Sequence, residues 1–262
     1  MLKRIKKIKS LKSLPKLLSM ISIESFLWLY YHERRKRDHD LTGKQIQTLK
    51  KKYKHTSIIL IGGLGGFHFS PHLEKSLRQV TGGEIWSLGK GKRARIKKNE
   101  DGIWRCGSGE YALNGWNKEV AIVWLRLIKV IKHSETIRDS KNTIILGHSS
   151  GGLINYSLGI FRELGSKKFL ELYQKEFPGI SRIPKKDLTL LKQWLNNSTF
   201  VAINTPFRGI CQRLLSMSSK VLAPNIVSVL NEEYLSGIFK LSGIDPIDVV
   251  DLATHSEVAE TN

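Results

Sequence analysis

Two apolar, β-branched runs in this 262-residue chain stop at glycines and give way at once to helical patterns. The first is TSIILIGGLGG (56–66), followed by SPHLEKSLRQV. The second is NTIILGHSSGG (142–152), followed by LINYSLGIFREL. Strands apolar at every position are buried on both faces, and helices of this length are long enough to cross back over a sheet. Repeated strand–turn–helix units predict an α/β fold, a mainly parallel sheet with helices on both faces. GEIWSL and TFVAINTP read as two further strands. Residues 57–61, 84–88, 142–146 and 199–204 are therefore expected side by side in one sheet. In such sheets ligands bind at the carboxyl ends of the strands. The glycine turns at 62–66 and 147–152 fall at those ends.

The helices follow from spacing. NGWNKEVAIVWLRLIKVIKHS (114–134) places Val120, Val123, Trp124, Leu127, Ile128 and Ile131 on one face. Pro71 suits the first turn of the helix after the first glycine loop. KQIQTLKKKYKH (44–55) reads as a polar helix or linker, and FLELYQKEF and KKDLTLLKQWLNN as further helices. GKGKRARIKKNEDG (89–102) reads as a basic loop. The chain beyond 206 is expected to be mostly helical, including SGIDPIDVVDLATHSEV, where Asp245 suits an N-cap and Pro246 a first turn.

Charge divides the chain. Of a net +20, residues 1–55 hold +12, with 16 Lys/Arg against 4 Asp/Glu. The division expected is a basic N-terminal extension over 1–55 and an α/β domain over 56–262. In the extension, MLKRIKKIKSLKS is followed by an apolar run interrupted by Lys16 and Glu24. It is too short for a span of about 20 residues. One reading is an amphipathic helix on an anionic membrane surface through residues 1–37. The other is a helix packed on its own domain. A nucleic-acid partner is disfavoured, because no recognised binding module accompanies the basic stretches.

GHSSG (147–151) fits the pattern G-x-S-x-G in the context that its chemistry needs: strand, sharp turn, helix. A Cβ at the flanking glycines would collide with the neighbouring strand and helix. The helix behind the serine directs amide N–H groups and positive dipole at the site. Ser149 is thus the candidate nucleophile and the Ser150 amide a candidate oxyanion donor. GGLGG (62–66) supplies a second donor, assigned to Leu64; losing one such donor typically costs about 10²–10³ in rate. The alternative, a phosphate loop, does not fit. Phe67 breaks G-x-G-x-x-G, and no G-x-x-x-x-G-K-[ST] occurs. No cofactor motif is present. Zinc spacing is absent around Cys106 and Cys211, whose pairing the sequence leaves open. His68 and His72 are four apart but have Pro71 between them and no third ligand nearby.

IILIGGLGG, the helix NGWNKEVAIVWLRLIKVI, IILGHSSGGL and FVAINTPFRG occur in that order. Together they resemble the α/β-hydrolase lipases, especially the bacterial triacylglycerol lipases, over roughly residues 56–210. The resemblance implies hydrolysis of lipid-like carboxylic esters by a Ser-His-Asp triad, with Ser149 at the nucleophile and Leu64 and Ser150 at the oxyanion donors. Gly62 and Phe207 stand where that family has histidines.

In this fold the triad runs Ser, then Asp/Glu, then His. Downstream of Ser149 the only histidine is His255, the candidate base, with Asp245, Asp248 and Asp251 as nearby carboxylates. The expected helix there would make Asp251 and His255 surface partners at i,i+4. On that reading the chain stops before the family's acid and histidine and is a hydrolase inactive in this form. The competing function is a hydrolase-scaffold protein that binds anionic membranes without catalysis.

Overall fold

The computed structural model describes residues 42–63, 69–91, 93–107, 116–203, 205 and 250–252. Residues 1–37, whose membrane role is an expectation from the sequence, lie outside them, as do Leu64, His68, Cys211, Asp245, Asp248 and His255. Among the described residues no helix is long and apolar enough to cross a membrane.

The elements run α1 (Gly43–Lys52), β1 (Ser57–Ile61), α2 (Pro71–Val80), β2 (Ile85–Leu88), β3 (Ile96–Lys98), β4 (Trp104–Cys106), α3 (Trp116–His133) and the short α4 (Glu135–Arg138). They continue with β5 (Thr143–His148), α5 (Ser150–Tyr173), a 3-10 turn at Ile180–Arg182, α6 (Lys185–Leu195), β6 (Ser198–Ile203) and β7 (Val250–Leu252). The described strands form one sheet in the order β3-β4-β2-β1-β5-β6-β7. Only the β3–β4 pair is antiparallel. This is the mainly parallel α/β architecture expected from the sequence, and the four strands read there lie side by side as β2-β1-β5-β6.

Helices cover both faces because the central strands are apolar on both. Ile59, Ile61, Trp86, Leu88 and Ile145 point to one side, where α3, α5 and α6 close the larger core. Ile58, Leu60, Ile85 and Leu146 point to the other, under Leu77 of α2. Trp124 anchors the larger core. It is fully buried, contacts the rings of Phe161 and Phe169 at centroid distances of 4.8 and 5.3 Å, and donates its indole N–H to Ser157 Oγ at 3.2 Å. The α2 start follows its sequence: Ser70 Oγ accepts from the Leu73 amide at 3.3 Å and Pro71 occupies the first turn.

One buried polar residue ties α5 to the sheet. Asn155 Nδ2 donates to the carbonyls of Ile145 at 2.9 Å and Val201 at 3.0 Å. The helix that begins at the candidate nucleophile is thereby pinned to β5 and β6 one and a half turns later.

Two expectations are corrected. The basic segment 89–102 is not simply a loop: it contains β3, which forms an edge hairpin with β4. Ile96 is half-buried and Lys97 and Lys98 are exposed there, and a three-residue strand is too short for a periodic signal. The stretch around Asp251 is also not wholly helical. Residues 250–252 pair parallel with Val201, Ala202 and Ile203 of β6. At these three residues sheet pairing overrides the helical reading, since each ladder hydrogen bond satisfies backbone groups that an edge strand leaves open.

Candidate active site

The parallel register brings four turns to one edge. Ile61 stands opposite both Leu88 and Gly147, and His148 opposite Ile203. Gly62-Gly63, Gly89-Lys90, Ser149 and the segment through Thr205 therefore leave the sheet side by side.

The turn between β5 and α5 is tight enough to require its glycines. A Cβ on Gly147 would lie 2.5 Å from the Gly151 carbonyl group. A Cβ on Gly151 would run into the carbonyl oxygens of Ile61 and Gly62, and one on Gly152 into the Thr205 side chain. Ser149 sits between them with φ 54° and ψ −124°. It is the only described residue other than glycine with positive φ. Such a conformation persists only where surrounding structure imposes it. Here the Ser149 amide donates to the Ile203 carbonyl at 2.9 Å, and the Ser149 carbonyl accepts from the Gly152 amide at 2.9 Å. The Ser149 side chain makes no capping hydrogen bond, and the residue is half-buried. Of the first three α5 amides, that of Gly152 is thus taken by the cap carbonyl, while those of Ser150 and Gly151 lack a carbonyl one turn earlier in the helix.

Ser150, expected as a backbone donor, is itself buried, and its hydroxyl is engaged. Lys90 donates to it at 3.2 Å, to the Gly63 carbonyl at 2.9 Å and to Glu119 Oε2 at 2.9 Å. Lys90 is fully buried and Glu119 almost so. Burial pushes the Lys90 ammonium below its usual range and the Glu119 carboxyl above its own, while their mutual attraction opposes both shifts. Neither residue was singled out by sequence reasoning. Lys90 opens a basic segment that reads as solvated. The available signal was Glu119: it lies on the apolar face of the 114–134 helix with Val120 and Val123, and an acid on a buried face needs a partner.

Gly63 packs directly on this turn. A Cβ there would lie 3.0 Å from Ser149 Cβ and 3.3 Å from His148 Nδ1. His148 is partly buried, with Phe69 edge-on at 6.1 Å. Burial, and then the charge of Lys90, hold its imidazole below the usual range and so neutral.

Of the residues read from sequence, Ser149 and Ser150 meet at one junction, beside Gly63. Leu64 and His255 lie outside the described residues. Asp251 stands in β7, with its backbone opposite Ala202. His72 is an exposed residue of α2. Among the described residues no group of His, Cys, Asp and Glu side chains is arranged to hold a metal ion. Cys106 is a buried free thiol.

No protein-family model matches the chain, and no curated protein sequence matches it. Among solved structures it is similar to a crystal structure of esterase B from Lactobacillus rhamnosis (HN001). That match has 13% identity, covers 90% of this chain and 82% of that one, and has a TM-score of 0.42. A second structure, of inhibited esterase B from the same organism, matches with 14% identity over 77% of this chain and 65% of that one, at a TM-score of 0.40. The α/β assignment of this chain rests on its own sheet.

Proposed function

We propose that the chain is an α/β-hydrolase-type serine hydrolase acting on carboxylic esters of lipids, with Ser149 as nucleophile. The observation that carries the reading is the positive φ of Ser149 at a glycine-packed strand-to-helix turn. Strain of that kind on a non-glycine residue costs about 1–3 kcal/mol. The serine hydroxyl is not spent on capping the helix. The Ser150 amide and the amide of Leu64 are the proposed oxyanion donors, working on the tetrahedral intermediate as its negative charge develops.

A serine hydroxyl needs a base. His255 is assigned that role as the only histidine after Ser149 in the chain order Ser, acid, His. What supports it is direction. β7 runs parallel to β6, so the chain leaves β7 at Leu252 toward the edge that carries Ser149, three residues before His255. Asp245, Asp248 and Asp251 precede it in the order an acid requires. The competing reading, a membrane-binding scaffold without catalysis, draws on the +12 carried by residues 1–55.

The test is a fluorophosphonate probe and a short-chain p-nitrophenyl ester with the full chain, Ser149→Ala and His255→Ala. Labelling and turnover lost in both variants support the reading. A chain that neither labels nor turns over favours the scaffold alternative, and turnover that survives Ser149→Ala refutes the nucleophile.

A further inference from the structure

Lys90 is the one fully buried lysine among the described residues, and its position needs a reason. A buried ion pair is weak evidence for stability, because desolvation offsets most of the attraction. An apolar pair of similar volume would serve the core as well. The pair links four separate pieces of chain. Lys90 follows β2, Glu119 stands in the first turn of α3, and the ammonium also donates to Gly63 after β1 and to Ser150 at the start of α5. These last two residues flank Ser149.

The contact with Gly63 has a specific consequence. A peptide group is planar and trans, so its C=O and the N–H of the next residue point in opposite directions. Whatever holds the Gly63 carbonyl therefore restrains the peptide group that this carbonyl shares with the next amide. That amide is one proposed oxyanion donor. The same ammonium holds the hydroxyl of Ser150, whose own amide is the other. The Gly63 carbonyl lies beyond the β1 ladder, which ends at Ile61, while the Ser149–Ser150 peptide is held by the Gly152 amide and gains a second restraint where the ammonium meets the Ser150 hydroxyl.

We propose that Lys90, with its charge balanced by Glu119, is a positioning residue that clamps the turn after β1 to the turn after β5 and so fixes the two oxyanion-donating peptides relative to each other. The inference rests on the hydrolase reading above. Lys90 touches no reacting atom in this role; it acts through the peptides that do.

Removing Lys90 alone would strand a buried carboxylate and endanger folding. The informative variant is therefore Lys90→Met with Glu119→Leu, which replaces the pair by apolar groups of similar size. Its unfolding midpoint is expected close to that of the wild type. With a p-nitrophenyl ester, kcat is expected to fall about 10–100-fold while KM stays within about twofold, because misdirected oxyanion donors weaken the transition state and not the ground state. Arg105→Gln serves as control. It breaks a second buried-carboxylate pair, Arg105 to Glu74 at 2.9 Å, and should lower the unfolding midpoint without changing kcat. A folded double variant with wild-type kcat overturns the proposal and leaves Lys90 a packing group. A wild-type chain without Ser149-dependent turnover removes the hydrolase reading, and this inference with it. Wild-type turnover with an unaffected double variant removes only this one.

Discussion

Replacing Ser149 by glycine should make the protein more stable than replacing it by alanine. Ser149 has φ 54° and ψ −124°, a region that L side chains disfavour and glycine enters freely. Alanine keeps the Cβ and hence the strain, taken as about 2 kcal/mol within the usual range. Glycine relieves it but gains unfolded-state freedom worth about 1 kcal/mol. Nothing else separates the two variants, since the serine side chain makes no cap hydrogen bond that either would lose. Ser149→Gly should therefore exceed Ser149→Ala by about 1 kcal/mol, or about 2–4 °C in melting temperature for a domain of this size. Urea unfolding at neutral pH, read by tryptophan fluorescence with equal slopes required, measures the difference. Ser149→Ala as stable as Ser149→Gly, or more stable, would mean that the backbone is not strained, and the observation carrying the hydrolase reading would go with it. If the inequality holds, and neither variant labels with a fluorophosphonate, the turn trades stability for a presented hydroxyl.

Two further outcomes probe the same edge. Gly151→Ala should cost about 3 kcal/mol or more, since its Cβ meets the Ile61 carbonyl of a strand held by ladders on both sides. Gly159→Ala, with Phe200 ring atoms no nearer than 3.9 Å, should instead stabilise α5 by about 0.5–1 kcal/mol; equal shifts in the two urea midpoints would refute the packing account. His148 gives a pH signature. Its folded pKa lies below the ordinary 6.5, so between those values the unfolded chain binds more protons, and stability is lost as pH falls through that window. His148→Asn should lose less stability than the wild type between about pH 7.5 and about pH 5.5, and identical losses in chemical denaturation would show that the imidazole is not held neutral.

The central sheet and the turn at Ser149 were legible because they rest on local rules. Five consecutive buried residues in SIILI, an apolar TIIL, and glycines where chains approach closely are properties of short segments. They need no knowledge of what lies across the core. β3 and β7 were not legible: three residues have no period, and their extended state comes from a neighbouring strand that satisfies their backbone groups. Lys90 was hidden for a related reason. A lysine beside GKRARIKK reads as solvated, and only the packing of α3 and α5 against the ends of β1 and β2 removes it from water and sets Glu119, Gly63 and Ser150 around its ammonium. The sequence by itself determined which segments become apolar strands and where the chain must turn sharply, because propensity, spacing and the absence of a Cβ act within a few residues. Only the tertiary structure decided which charge is buried and which turns are joined, because desolvation and ion pairing depend on groups 27 to 60 residues apart in the chain.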